Sequence, residues 1–245
     1  MNTKLKIGFF GHSIAQTVFD PDSNDYIRRL IKKYDAELCG MGTALCSEER
    51  ILFQLKKTKD IDIAVIYHAN PKFVFIPSLH RDVSINTKVE DKFDYELEKN
   101  QNLLHDGIYE NAVISLNPFI SQETITFNKE LMNELTKAVW YNKRYMSHPD
   151  LLRNRYFGAL MHIDSFVKNK NIKVVHAINT EHSKESLPSW FSFSSGIVDT
   201  ELQSFQHGNK GYQVSYSESC NGINEAGNKL MIDILSNHFD RLLNT

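Results

Sequence analysis

The sequence predicts an α/β protein built on a parallel sheet, and three observations carry that prediction. Leu5–Phe10, Ile61–Tyr67 and Ile172–Ile178 are short, largely apolar runs, as strands buried on both faces require. Stretches with helical apolar spacing separate the first strands, one over Tyr26–Tyr34 and one after Ser47 with Ile51, Leu52 and Leu55 on a single face. The resulting β-α-β-α-β order with short connections argues for a sheet covered by helices.

Taken in order, the first strand breaks into Gly11-His12-Ser13. Ser13 then stands at the C-terminal edge of the sheet, where open α/β sheets bind ligands. A turn also favours Gly and Ser for structural reasons alone, and a serine is a weak nucleophile until a base accepts its proton. A second strand, Ala36–Cys39, runs into Gly40-Met41-Gly42-Thr43, and Ser47 caps the following helix. The third strand ends in His68-Ala69-Asn70-Pro71. From there to about residue 171 the pattern is interrupted by a long insertion. Phe73–Pro77 is apolar, whereas His80–Glu110 is polar and charged and predicts an extended loop or lid overhanging the Ser13 edge. Apolar helical faces follow, with Leu131, Leu135 and Val139, then Leu151, Leu152, Phe157, Leu160, Ile163 and Phe166. The fourth strand is Ile172–Ile178, and a fifth short one is expected within Trp190–Phe193. A last helix starts at an Asn224 cap and repeats Leu230, Ile234, Leu235, Phe239 and Leu242 at three and four residues. All of this fits one domain over residues 1–245.

The turn residues resemble those of the SGNH hydrolase superfamily, the GDSL-like lipases and esterases, over roughly residues 5–70 and 172–245. That family is named for a serine after the first strand, a glycine after the second, an asparagine after the third and a histidine near the C-terminus. Gly11-His12-Ser13 keeps two residues of its usual Gly-Asp-Ser, and the glycine falls on Gly42, with Gly40 close enough to compete. His68-Ala69-Asn70-Pro71 keeps the asparagine of Gly-x-Asn-Asp. The resemblance implies a three-layer α/β/α sandwich with a flavodoxin-like central sheet. It also implies a Ser13 nucleophile with an oxyanion hole from the Ser13 and Gly42 N–H groups and the Asn70 amide. One such donor can contribute roughly 3–4 kcal/mol to the transition state.

The fourth motif departs from the family. Its loop reads Asp-Gly-x-His-x-Asn-x-x-Gly, and alignment on Asn224-Glu225-Ala226-Gly227 puts Ser219 on the aspartate and Gly222 on the histidine. A shifted register pairs Asn221 and Asn224 with them instead. Neither supplies an imidazole, and an amide is no proton acceptor at neutral pH, so the usual relay cannot be assembled from this loop. Among the other histidines, His12 adjoins Ser13 and points to the opposite side of an extended segment. His68 shares parity with Asn70 at the same end of the sheet and is the substitute base best placed. The structural reading, a strand-end residue hydrogen-bonded to the backbone or filling the space left by the family's glycine, is preferred, since a base also needs reach and an orienter. His207, His176 and His182 are the remaining candidates.

Other signals exclude more than they suggest. His80-Arg81-Asp82 resembles a kinase catalytic triplet but lacks its downstream asparagine and any glycine-rich phosphate loop. Cys39, Cys46 and Cys220 show no C-x-x-C spacing, and no carboxylate or His-Glu-x-x-His cluster suggests a metal, so neither metal nor cofactor is expected. Cys220 is in principle a nucleophile, although a lone cysteine is more often a small apolar residue. A net charge of −2 without a basic block leaves nucleic acid no electrostatic footprint. With 41% hydrophobic residues and neither a leader pattern nor a membrane span, a cytoplasmic protein is expected. Two functions follow. One is acyl ester hydrolysis, on a small ester or an acetylated glycan, by an atypical or impaired site. The other is an inactive relative that binds a glycan, a small molecule or, through the insertion, a protein. A flavodoxin-like nucleotide binder is weakened by the lack of a phosphate loop after the first strand.

Overall fold

The computed structural model describes residues 4–17, 25–42, 46–69, 73–76, 81–84, 149–178, 188–189, 191–202, 212 and 223–245. Its centre is a five-stranded parallel sheet of β1 (Lys6–Gly11), β2 (Glu37–Gly40), β3 (Ile63–Tyr67), β6 (Lys173–Ala177) and β7 (Ile197–Asp199) in the order β2-β1-β3-β6-β7. Every pairing in it is parallel. The chain starts mid-sheet, adds β2 on one side of β1 and then moves to the other side. That reversal lies between β1 and β3, the kind of switch point at which doubly wound sheets open a crevice. β4 (Phe73–Ile76) and β5 (Arg81–Ser84) form a separate antiparallel pair.

Among the described residues two helices cover each face, giving three layers. On one side, α1 (Tyr26–Lys33) and α4 (Glu225–Leu243) pack with Ile7, Phe9, Val65, Tyr67 and Val175. On the other, α2 (Glu48–Lys57) and α3 (Pro149–Asn169) pack with Phe10, Ile66 and Val174. The alternation of neighbouring strand residues between the two clusters is the period of two that a strand imposes. Both expected caps are present: the Ser47 side chain accepts from the Arg50 N–H at 3.3 Å and Asn224 from the Gly227 N–H at 2.9 Å. Asn228 adds a tie between the helix starts, its amide oxygen accepting the Tyr26 N–H at 2.9 Å.

Two expectations change. The fifth strand lies at Ile197–Asp199, whereas Phe191–Phe193 is irregular. The apolar alternation of the aromatic run reads like a strand, but its rings pack on α3 and the sheet edge instead. Gly196 then lets the chain enter β7: it has φ +80°, and a Cβ there would sit 2.3 Å from the Val174 carbonyl oxygen. Within the stretch expected as loop, Arg81–Ser84 pairs antiparallel with Phe73–Ile76. The remainder of that loop and the helical face at Leu131, Leu135 and Val139 lie outside the described residues. Among the described residues no helix is long and apolar enough to cross a membrane.

Candidate functional site

Of the residues singled out in the sequence, the Ser13 turn, Gly42 and His68 lie at the C-terminal edge of β1 and β3. Gly11, the last residue of β1, has φ +123° and pairs with Tyr67; a Cβ on it would meet the Tyr67 carbonyl oxygen at 2.2 Å. Only glycine allows this approach, which starts the Ser13–Ala15 3₁₀ turn beside the point where His68 leaves β3. Gly42 lies over the same turn, since a Cβ there would stand 2.6 Å from the Gly11 and 2.8 Å from the His12 carbonyl oxygens. Its N–H donates to the Ala15 carbonyl at 3.0 Å. Gly40 has a different neighbour: a Cβ there would strike the Phe10 ring at 2.6 Å. Gly42 is thus the glycine that adjoins the Ser13 turn. Asn70, His182, His207 and the altered loop through Ser219, Cys220, Asn221 and Gly222 lie outside the described residues.

Tyr67 and His68 are consecutive and project to opposite faces. His68 turns toward α2 and α3, where it forms the centre of a buried polar chain. Its Nδ1 lies 3.0 Å from Glu48 Oε2, with the two side chains 1% and 2% exposed. The other Glu48 oxygen accepts the Ala69 N–H at 2.5 Å. His68 Nε2 lies 2.9 Å from Nδ1 of His176, which is fully buried in β6 directly beside Ile66. Glu48 is the first residue of α2, just after the Ser47 cap, where the helix dipole favours a carboxylate.

The hydrogen-bond roles follow from the ends of this chain. A carboxylate at Glu48 accepts at both oxygens, and against it His68 Nδ1 carries a hydrogen. A single hydrogen is then shared between His68 Nε2 and His176 Nδ1. Burial, then the neighbouring His68, hold the His176 imidazole well below its ordinary range, with the Ser195 main chain opposing them to a smaller degree. His176 is therefore the neutral member. Its Nε2 has no partner of hydrogen-bond geometry among the described residues. The Phe193 ring stacks on His176 with centroids 3.9 Å apart and lies 5.1 Å from the His68 ring. Tyr156 of α3 is buried, its phenol pushed well up by burial and by the charge of Glu48.

The chemistry of this arrangement is that of an oriented imidazole: an acid on Nδ1 fixes the tautomer and supports positive charge on the ring. The sequence identified His68 and kept His176 as an alternative. It gave no role to Glu48, which reads as an ordinary first-turn acid, or to Phe193. Cys39 offers no competing nucleophile, because burial pushes its thiol up to about 11. Groups of three or more His, Cys, Asp or Glu that would hold a metal are absent among the described residues. The chain matches no family model and no curated protein.

Proposed function

We propose that the chain is an SGNH-like serine hydrolase of acyl esters whose base has moved from the C-terminal loop to His68. Ser13 attacks the ester carbonyl, and the Gly42 and Asn70 region receives the oxyanion. His68 takes the Ser13 proton on Nε2 while Glu48 holds Nδ1 and supports the imidazolium. His176 occupies Nε2 at rest, so proton transfer requires His68 to exchange its His176 contact for the Ser13 hydroxyl. Catalytic hydrogen bonds of this type commonly tighten only with substrate bound. One observation carries the reading: the Glu48–His68 pair, 3.0 Å apart and almost fully buried at the edge where Ser13 turns, supplies the acid–imidazole couple that the C-terminal loop has lost.

A second reading is an inactive relative that binds a glycan, a small molecule or a protein at the same edge. It is favoured by the engagement of both His68 ring nitrogens and of the Gly42 N–H within the protein. A fluorophosphonate probe read by mass spectrometry separates the two. Hydrolysis predicts labelling at Ser13 that disappears in Ser13→Ala and falls by about a hundredfold or more in His68→Ala and Glu48→Gln, the scale of a lost general base. Absence of label on Ser13 in the wild type would sink the hydrolase reading and leave the binding one.

A further inference from the structure

Asp164 lies on the inner face of α3 and is 8% exposed, a costly position for a carboxylate unless its oxygens are filled. They are filled by the short segment before β7. The Ser194 N–H reaches both oxygens at 3.1 Å, the Ser194 hydroxyl reaches Oδ2 at 2.6 Å and the Ser195 hydroxyl reaches Oδ1 at 3.1 Å. Ser194 itself is exposed, so the clamp draws a surface segment down onto the helix. The residue immediately before the clamp is Phe193, whose ring lies 3.9 Å from His176 and 5.1 Å from His68. Phe191 backs that ring at 5.1 Å and is itself met edge-on by Phe157 of α3. Helix α3 thus holds the cover of the imidazole pair at two points, one polar and one aromatic.

We propose that Asp164 is a positioning residue for the Glu48–His68–His176 chain, acting through Ser194 and Ser195 to seat Phe193 on the two imidazoles. Phe193 offers no hydrogen bond, so it excludes water from His176 without giving its ring a proton partner. Any proton that the pair takes up is thereby kept on the His68 side, next to Glu48, where the imidazolium of a base must form. The groups around the chain fit this assignment: His68, which follows β3, and the Ser195 main chain act on His176, while Glu48 at the start of α2 holds His68 and its charge is felt by Tyr156 of α3. Asp164 acts through position and not through charge, because its oxygens are taken up by the serines. The catalytic consequence rests on the reading of His68 as base, whereas the seating of Phe193 can be tested without activity.

The experiment is a pH titration of the full chain by long-range ¹H–¹⁵N correlation of the histidine rings, in wild type, Asp164→Ala, Ser194→Ala/Ser195→Ala and Phe193→Ser. The wild-type His176 ring is expected to stay neutral through the mildly acidic range. Phe193→Ser should let it take up a proton about one pH unit or more higher, the scale on which burial shifts such groups. Asp164→Ala should reproduce that shift, and the double serine variant should give a smaller shift in the same direction. A clamp that only anchors the entry to β7 would lower the melting temperature and leave the His176 titration unmoved. Unchanged His176 titration in Phe193→Ser, with the β1, β3 and β6 amide signals intact, would overturn the proposal. Phe193 is only half-buried and Ser194 is exposed, so Phe193→Ser tests the cover and the double serine variant tests the clamp even if Asp164→Ala fails to fold, and an unmoved His176 titration in the folded serine variant would equally overturn the proposal. Probe labelling of Ser13 in the same variants reports separately on the hydrolase reading: loss of labelling only where His176 titrates would join the two, and no labelling in wild type would leave the clamp standing alone.

Discussion

The two faces of the sheet carry different polar networks at the same edge. On the α1/α4 face, Tyr67 meets the Tyr26 hydroxyl at 3.1 Å and Tyr26 donates to the Ile14 carbonyl at 2.6 Å, so the hydrogen of the first contact comes from Tyr67. This phenol chain supports the Ser13 turn from beneath. On the α2/α3 face, Glu48, His68 and His176 form the imidazole chain. The two start from adjacent residues, Tyr67 and His68, and burial acts on both. It pushes the Tyr67 phenol up and the His176 imidazole down, so each stays neutral, but in opposite directions on the pH scale. One face is a proton-inert support. The other holds a hydrogen shared between two imidazole nitrogens 2.9 Å apart.

The largest difference should appear when each chain is cut at its polar end. Glu48→Ala leaves the Ala69 N–H and the His68 ring without their acceptor in a site only 1–2% exposed. We expect a loss of about 2–5 kcal/mol in denaturant unfolding, the scale for leaving two buried donors unsatisfied. A loss below about 1 kcal/mol would mean that water reaches His68, and the contrast between the faces would collapse.

Next in size is the pH dependence, which should have opposite signs for the two networks. His176 binds its proton less readily folded than unfolded, so its neutral form contributes stability above the unfolded value near 6.5. That contribution fades as pH falls below about 6.5, at a slope of up to about 1.4 kcal/mol per pH unit for one proton. Unfolding free energies measured between pH 7 and pH 5 should decline accordingly, and His176→Gln should flatten the decline. The phenols behave in reverse. Tyr34, raised to about 12 by burial and by Asp240, and Tyr67, raised further, contribute stability that is complete below the unfolded value near 10. It is lost as pH rises through the folded values, so phenolate absorbance should lag behind that of a free tyrosine until the chain unfolds. An acid limb that survives in His176→Gln would assign the pH sensitivity elsewhere.

The elements that the sequence reveals are those specified by neighbours along the chain. Ser47 and Asn224 announce helix starts because a cap acts within three residues, and β1, β3 and β6 announce themselves through continuous apolar runs. The Gly11 and Gly42 positions are legible as turn glycines, yet the contacts that require them come from β3 and from the 11–15 turn. The imidazole chain is different in kind. His68 and His176 are separated by 108 residues and Glu48 precedes His68 by 20, so only the strand order brings them together. A partial signal existed in α3, where Asp164 falls on the stripe of Leu160, Ile163 and Val167: a charge on a buried helical face calls for a partner. The aromatic alternation around Phe191 and Phe193 misleads for a physical reason. Period two also arises when alternate residues pack on a helix and an imidazole, with no strand formed.

The smallest of these effects is the most direct probe of the support face. Tyr26→Phe keeps the ring, which packs edge-on to Phe9 at 6.0 Å, and removes only the hydroxyl between Tyr67 and the Ile14 carbonyl. The ring packing is unchanged, so the loss should be that of a buried hydrogen bond with its acceptor left bare, about 1–2 kcal/mol. It should also be the same at pH 6 and pH 8, because no group in the phenol chain titrates there. If the Ser13 turn takes its position from this support, Ser13 labelling should fall in Tyr26→Phe while the His176 titration stays in place. A coupled shift in His176 would show that the two faces communicate through the adjacent Tyr67 and His68, and that the sheet edge acts as one unit instead of two.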